Sequence, residues 1–293
     1  MAKFKRWINI LVICIAAFAL LACIAGLLLS GASGQNEFKS ITGEMVKIYG
    51  LGLYKNDSIS LVAQGKATDF ITLVLGIPLL LISLYFANRD SFRGKLMLTG
   101  TIGYFLYTYI SYTFLWMYNP FFIVYVILMS LSLYAFILCF MTFDVEKMPG
   151  MFNKNLQVKL LGGFQLFVGF GIGILWLGRI AQSIFSWGTP VGLEHYTTLV
   201  IQGMDLGIIV PTAIVSGILI INRKPFGYLL SSVIIIKGVT MLTCISAMMV
   251  NMALMGVDMS LVEIILFPIF NLFALICLFI LFKNTKKGAE ARN

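Results

Sequence analysis

The sequence predicts an all-α fold, a polytopic membrane bundle of about eight transmembrane helices with both termini cytoplasmic. Three observations predict it. Of 293 residues, 60% are hydrophobic and only 11% are charged, whereas soluble domains run at roughly 45–50% apolar and about 25% charged. Eight apolar runs approach the ~20 residues that a bilayer core requires. Lys and Arg collect between alternate runs, as cytoplasmic loops do. The same composition excludes a soluble enzyme, a disordered chain and a collagen-like repeat.

The first run covers 7–30. Lys3, Lys5 and Arg6 precede it as in a signal peptide, and Leu20-Leu21-Ala22-Cys23 resembles a loose lipobox. The apolar stretch nevertheless continues to Leu29, which fits an uncleaved first helix. An outer loop follows over 31–69. Within it Phe38, Ile41, Met45 and Ile48 recur at helical spacing and predict a short amphipathic helix. Runs at 70–87, 96–118 and 121–142 complete a first half, about 7–142. Met148-Pro149-Gly150 marks an inner turn, and runs at 160–180, 198–221, 227–250 and 260–282 form a second half, about 160–282. The whole chain, 1–293, reads as one integral membrane domain. Pro78 and Pro211 each fall in the second helix of a half. No further self-similarity accompanies them, so they read as unrelated.

With the N-terminus inside, fifteen of the 21 basic residues lie on inner segments, five lie outside and Lys237 is left within a span. This bias fixes the orientation and places the protein in a cytoplasmic membrane. The net charge of +9 flanks apolar runs without interleaved aromatics. It is read as contact with anionic lipid, and no nucleic-acid partner is expected. Cys14, Cys23, Cys139, Cys244 and Cys277 all sit inside apolar runs without C-x-x-C spacing. No disulfide, metal or cofactor is therefore expected.

Ionisable groups at membrane depth carry the functional information. Each costs roughly 2.5–3.5 kcal/mol even on insertion scales. Lys237 lies near the midplane of helix 7, with Thr240 one turn on along the same face. Asp205, in helix 6, is its natural partner, and Gln202 lies one turn before it. Pro211 removes a backbone donor close by. Arg179 closes helix 5 on the outer side, and Glu263 lies about one turn inside helix 8. Together they predict a polar cavity in the outer half of helices 5–8. Helix 3 adds a hydroxyl surface on which Tyr104 is too deep for an interfacial belt. His195, the sole histidine, sits in an outer loop and is read as solvated.

Asp205, Lys237, Gln202, Glu263, Arg179, Thr240 and Tyr104 are thus the candidate ligand residues. The leading functional expectation is a secondary transporter for a small solute or ion. The alternative is a non-catalytic sensor, immunity factor or subunit with a partner membrane protein, in which Asp205–Lys237 is a structural ion pair. No catalytic residue is expected, because no metal-ligand set or nucleophile–base motif stands out. A retinal protein is set aside, since Val233 stands where microbial rhodopsins carry a carboxylate.

Overall fold

The computed structural model describes residues 4–31, 33–259 and 261–286, apart from the side chains of 262 and 263. Ten α-helical segments among them form eight long rods. α1 is Lys5–Leu28. α2 (Ile59–Ile71) and α3 (Ile77–Asn88) join through one wide turn into a single rod. α4 is Phe92–Phe114, α5 Phe122–Phe140 and α6 Val158–Ser186. α7 (Val200–Met204) and α8 (Val210–Ile221) again form one rod. α9 is Pro225–Leu254 and α10 is Leu261–Lys283.

Seven of the rods are long and apolar enough to cross a membrane. The other, α4, is just as long but richer in hydroxyl and small residues. Its position explains its composition. It packs against α3, α5 and α9, and Leu98, Ile102, Phe105, Tyr109 and Tyr112 are all buried. A helix shielded from lipid need not be apolar all round. On α6 and α10, by contrast, Phe167, Phe170, Ile174, Ile269, Leu272 and Phe279 are exposed, as a lipid-facing surface requires.

Contacts at the rod ends fix the up-and-down order. Lys5 Nζ donates to Asn88 O at 3.1 Å, and Arg93 Nη2 to Thr285 O at 3.1 Å. Asn153 N donates to Asn284 O at 2.8 Å. The starts of α1, α4 and α6 and the ends of α3 and α10 therefore share one end of the bundle. At the other end Met117 N donates to Asp57 Oδ1 at 2.9 Å, and Asn251 Nδ2 to Ala63 O at 2.7 Å. α4 thus traverses the full bundle.

The outer segment departs from expectation in two ways. No amphipathic helix forms over Phe38–Ile48. The chain makes a hairpin instead, with β1 (Glu37–Lys39) pairing antiparallel to β2 (Met45–Lys47). Gly43 adopts φ +89° at the tip, a conformation that a helix interior excludes and a tight turn needs. The loop also ends at Ser58 rather than at 69. Ser58 caps α2 by accepting from Leu61 N at 3.2 Å. Lys66 and Asp69 interrupt the apolar pattern, yet the helix runs through them because each is partnered. Lys66 Nζ donates to Tyr49 OH at 2.7 Å.

The two prolines turn out to be related. Each follows a five-residue π turn, Thr72–Gly76 before Pro78 and Asp205–Ile209 before Pro211. In each, the closing N–H reaches five residues back, Ile77 N to Thr72 O and Val210 N to Asp205 O. A proline ring clashes with the carbonyl four residues earlier, and a widened turn relieves that clash. The likeness continues downstream at one constant shift. Asp90 (φ 58°) matches Arg223 (φ 53°). Asp90 N bonds Ala87 O and Ser91 N bonds Phe86 O, while Arg223 N bonds Ile220 O and Lys224 N bonds Leu219 O.

The same shift carries Gly94 onto Gly227. A Cβ on Gly94 would meet Ala87 N at 2.7 Å, and one on Gly227 would meet Ile220 N at 2.5 Å. α1–α5 and α6–α10 are therefore two copies of one four-rod unit, both starting at the same end, as in parallel repeats about the membrane normal. Prolines, glycines and turn dihedrals carry the likeness, so it is nearly invisible as residue identity.

Candidate functional site

The constant shift places Asp205 at the position of Thr72 and Lys237 at the position of Tyr104. In the first half Thr72 and Tyr104 share a hydrogen bond between hydroxyls at 2.7 Å, fully buried. In the second half the same two places hold a carboxylate and an ammonium, beside a cavity of about 140 Å³. Tyr107, Gln165, Asp205, Lys237, Met241 and Ile245 are among its walls.

Asp205 opens the π turn that joins α7 to α8, so its carboxylate leaves the helix where the backbone is widened. Tyr107 OH donates to its Oδ1 at 2.8 Å, and Trp176 Nε1 donates to its Oδ2 at 2.9 Å. The Lys237 ammonium lies 4.1 Å from the centroid of the Tyr107 ring. The expected Asp205–Lys237 ion pair is thus not formed. The ion pairs among the described residues are Lys95–Asp90 and Lys147–Asp144. Tyr107 stands between the two charges instead. Its hydroxyl serves the carboxylate and its ring face attracts the cation.

Two other expected members lie elsewhere. Thr240 Oγ1 donates to Ile236 O at 3.2 Å and to Lys237 O at 2.9 Å. A hydroxyl turned back on its own helix satisfies itself locally and leaves the cavity. Tyr104 belongs to the first half, where it bonds Thr72. Glu263 falls in α10, and its side chain lies outside the described residues.

Gln202 and Arg179 do reach a shared space, one turn further out. A cavity of about 350 Å³ there is lined by Gln64, Trp176, Arg179, Glu194, Tyr196 and Gln202 among others. Arg179 Nε and Nη2 both donate to Val191 O, at 3.0 and 2.8 Å. Trp176 is the divider. Its ring borders the outer cavity while its N–H holds Asp205 in the inner one.

Above this cavity the two halves are clasped. His195 Nε2 lies 3.0 Å from Asn56 O, so the histidine is a loop contact rather than a freely solvated side chain. Ser58 N donates to Tyr196 OH at 3.1 Å, and Tyr196 OH donates to Asp57 Oδ1 at 3.3 Å. Burial pushes the Asp57 carboxyl up to about 7, against the hydrogen bonds from Met117 N and Tyr196 OH. Burial also raises Glu194 above the usual carboxylate range.

A second buried carboxylate, Asp69, is held in the first half. Tyr54 OH donates to its Oδ2 at 2.6 Å and Tyr112 OH to its Oδ1 at 3.0 Å. Gly26 of α1 lies against it so closely that a Cβ would fall 2.0 Å from Oδ2. With both oxygens bonded to tyrosines and Gly26 packed onto it, this carboxylate reads as structural. Sequence reasoning missed Tyr107 and Trp176. An indole N–H in mid-span needs an acceptor, and that was the available signal for Trp176. Tyr107 could have been found as the hydroxyl one turn beyond Tyr104.

Fold and site together define a multi-pass membrane protein with a charged chamber inside one half of the bundle. No protein-family model, curated protein or solved structure matches the chain.

Proposed function

We propose that the protein is a secondary carrier passing a small solute across the cytoplasmic membrane, with both chain ends inside and the Asp205–Lys237 chamber as its binding site. The observation that carries this reading is that Asp205 and Lys237 line a cavity, while their uncharged counterparts Thr72 and Tyr104 are buried against each other in a hydrogen bond. The seventh and eighth helical segments add a π turn and Pro211 beside the site, a place where a helix can change its winding cheaply. The outer cavity supplies an entry, with Trp176 and Gln202 as its floor. No catalytic role is assigned.

A second reading, a sensor or subunit that engages a partner membrane protein, is favoured by one observation. Both Asp205 oxygens already accept hydrogen bonds, as a purely structural carboxylate would.

The test is thermal stability of the purified protein against a panel of ions and metabolites, wild type beside Asp205→Asn. A ligand at 100 times its dissociation constant stabilises by about 2.7 kcal/mol. The carrier reading expects a shift in wild type that the variant lacks, and uptake of that compound into proteoliposomes. No shift with any compound, together with a large stability loss in Asp205→Asn, would favour the second reading.

A further inference from the structure

The two halves differ most at one seam. In the first half α1 and α5 pack directly against each other. Their counterparts α6 and α10 make no comparable contact among the described residues. Phe167 and Phe270 bridge them, ring centroids 5.8 Å apart. Between them lies a groove of about 550 Å³, lined by Leu160, Gly163, Phe164, Phe273, Ile276 and Cys277 among others, with Lys159 at one end. The groove and the Asp205–Lys237 chamber share Phe164 as a wall. Ala274 of the chamber follows Phe273 of the groove along α10. A lipid-facing apolar groove therefore lies one side chain away from the chamber that holds the buried ammonium.

We infer that the chamber takes a single-chain anionic amphiphile of the fatty-acid type, with its carboxylate on Lys237 Nζ and its alkyl chain in the groove between α6 and α10. The inference rests on the carrier reading and names its substrate class. Charge complementarity selects the head. One ammonium with three donors faces the chamber, and its partner there is a ring face, which offers no hydrogen-bond acceptor oxygen. Asp205 is already held by Tyr107 and Trp176, so a monoanion brings the acceptor oxygens that the ammonium lacks. A doubly charged phosphate would bring a second negative charge beside Asp205, in a medium where like charges repel strongly. The walls select the tail. Apart from Tyr107, Gln165, Asp205 and Lys237, the chamber is lined by aliphatic, methionine and phenylalanine side chains and the backbone of Gly238. The groove beyond it is aromatic and aliphatic up to Lys159. A fully polar solute would leave these surfaces uncovered, and an alkyl chain covers them.

The experiment is saturation binding of radiolabelled palmitate to the purified protein in a non-ionic detergent. Wild type is compared with Lys237→Gln, Lys159→Gln and Gly163→Leu. A Cβ at Gly163 meets nothing within 4 Å, so a leucine there starts in open space and projects into the groove. The expected result is saturable binding by wild type, weakened about tenfold to a hundredfold in Lys237→Gln as a charge-assisted contact is lost. Gly163→Leu weakens it as well, and Lys159→Gln leaves it intact. Absence of saturable binding by wild type overturns the inference. So does binding that depends on Lys159 and not on Lys237, which would mark an ordinary lipid seated with its headgroup at the membrane surface. Gly163→Leu decides the matter if Lys237→Gln fails to fold. Palmitate bound but never moved into proteoliposomes would sink the carrier reading and leave this inference standing. A water-soluble solute that binds and is transported while palmitate does not bind would do the reverse.

Discussion

Replacing Gly26 by alanine should cost more stability than any other single methyl group added to α1. The new Cβ would fall 2.0 Å from Asp69 Oδ2 and 2.4 Å from Tyr54 OH, against an ordinary contact near 3.4 Å. Neither atom can yield easily. Asp69 is short and buried, and Tyr54 donates to it at 2.6 Å. α1 must back away by roughly 1.4 Å, an overpacking cost of about 1–3 kcal/mol. Loosening the Tyr54–Asp69 hydrogen bond adds about 1–3 kcal/mol. The better helix propensity of alanine returns about 1 kcal/mol. The net loss is on the order of 1–5 kcal/mol, or roughly 2–20 °C in apparent Tm at the scaling of large domains. Thermal unfolding in detergent, followed by circular dichroism, reads it directly. Gly171→Ala is the control, since a Cβ there meets nothing within 4 Å and only the propensity gain remains. If Gly26→Ala melts at or above the temperature of Gly171→Ala, the close seat of α1 on Asp69 is wrong.

Three further outcomes are expected. Asp57, raised by burial to about 7, binds its proton more tightly folded than unfolded. Its contribution is full below about pH 4 and is lost as pH rises through about 7, on the order of 4 kcal/mol over that window. Asp57→Asn should flatten the pH dependence of Tm there, and an unchanged slope would refute the assignment. Gly94→Ala and Gly227→Ala occupy matching turns and should destabilise by similar amounts, about 1–3 kcal/mol each. A loss in one and none in the other would break the repeat. Tyr107→Phe keeps the ring under Lys237 but strips a donor from Asp205, and it should lower stability by about 1–3 kcal/mol. The same change at Tyr104 removes a neutral hydroxyl pair and should cost less.

The sequence was most legible where single residues act through general physics. Run length and basic-residue bias located all eight rods, α4 included, because length and flanking charge survive even where a buried helix is less apolar. Lys237 and Asp205 stood out because charges at depth are costly, and both do line one chamber. What stayed hidden depends on three-dimensional neighbours. Tyr107 separates the two charges only because α4 and α9 cross closely at Gly100, whose Cβ would meet Ile236 Cβ at 2.5 Å. Thr240 shares a helix face with Lys237, but its hydroxyl folds back onto the backbone, which spacing does not reveal. The start of α2 was missed because Lys66 and Asp69 break the apolar pattern, and their partners Tyr49 and Tyr54 come from a loop. The duplication was missed because its markers are turn dihedrals and the place of a proline after a widened turn.

A carrier needs the Asp205–Lys237 chamber to be reached from the outer cavity, and a structural knot does not. The direct test is thiol labelling of Ile209→Cys, on a wall of the chamber, in a background without the five native cysteines. A charged, membrane-impermeant methanethiosulfonate is added from outside to intact cells. Gln64→Cys, on the outer cavity, sets the rate for free access, and Leu128→Cys, in the closed first-half core, sets the rate for none. In a carrier with that entry, Ile209→Cys reacts at a rate comparable to Gln64→Cys. Labelling no faster than Leu128→Cys would contradict it.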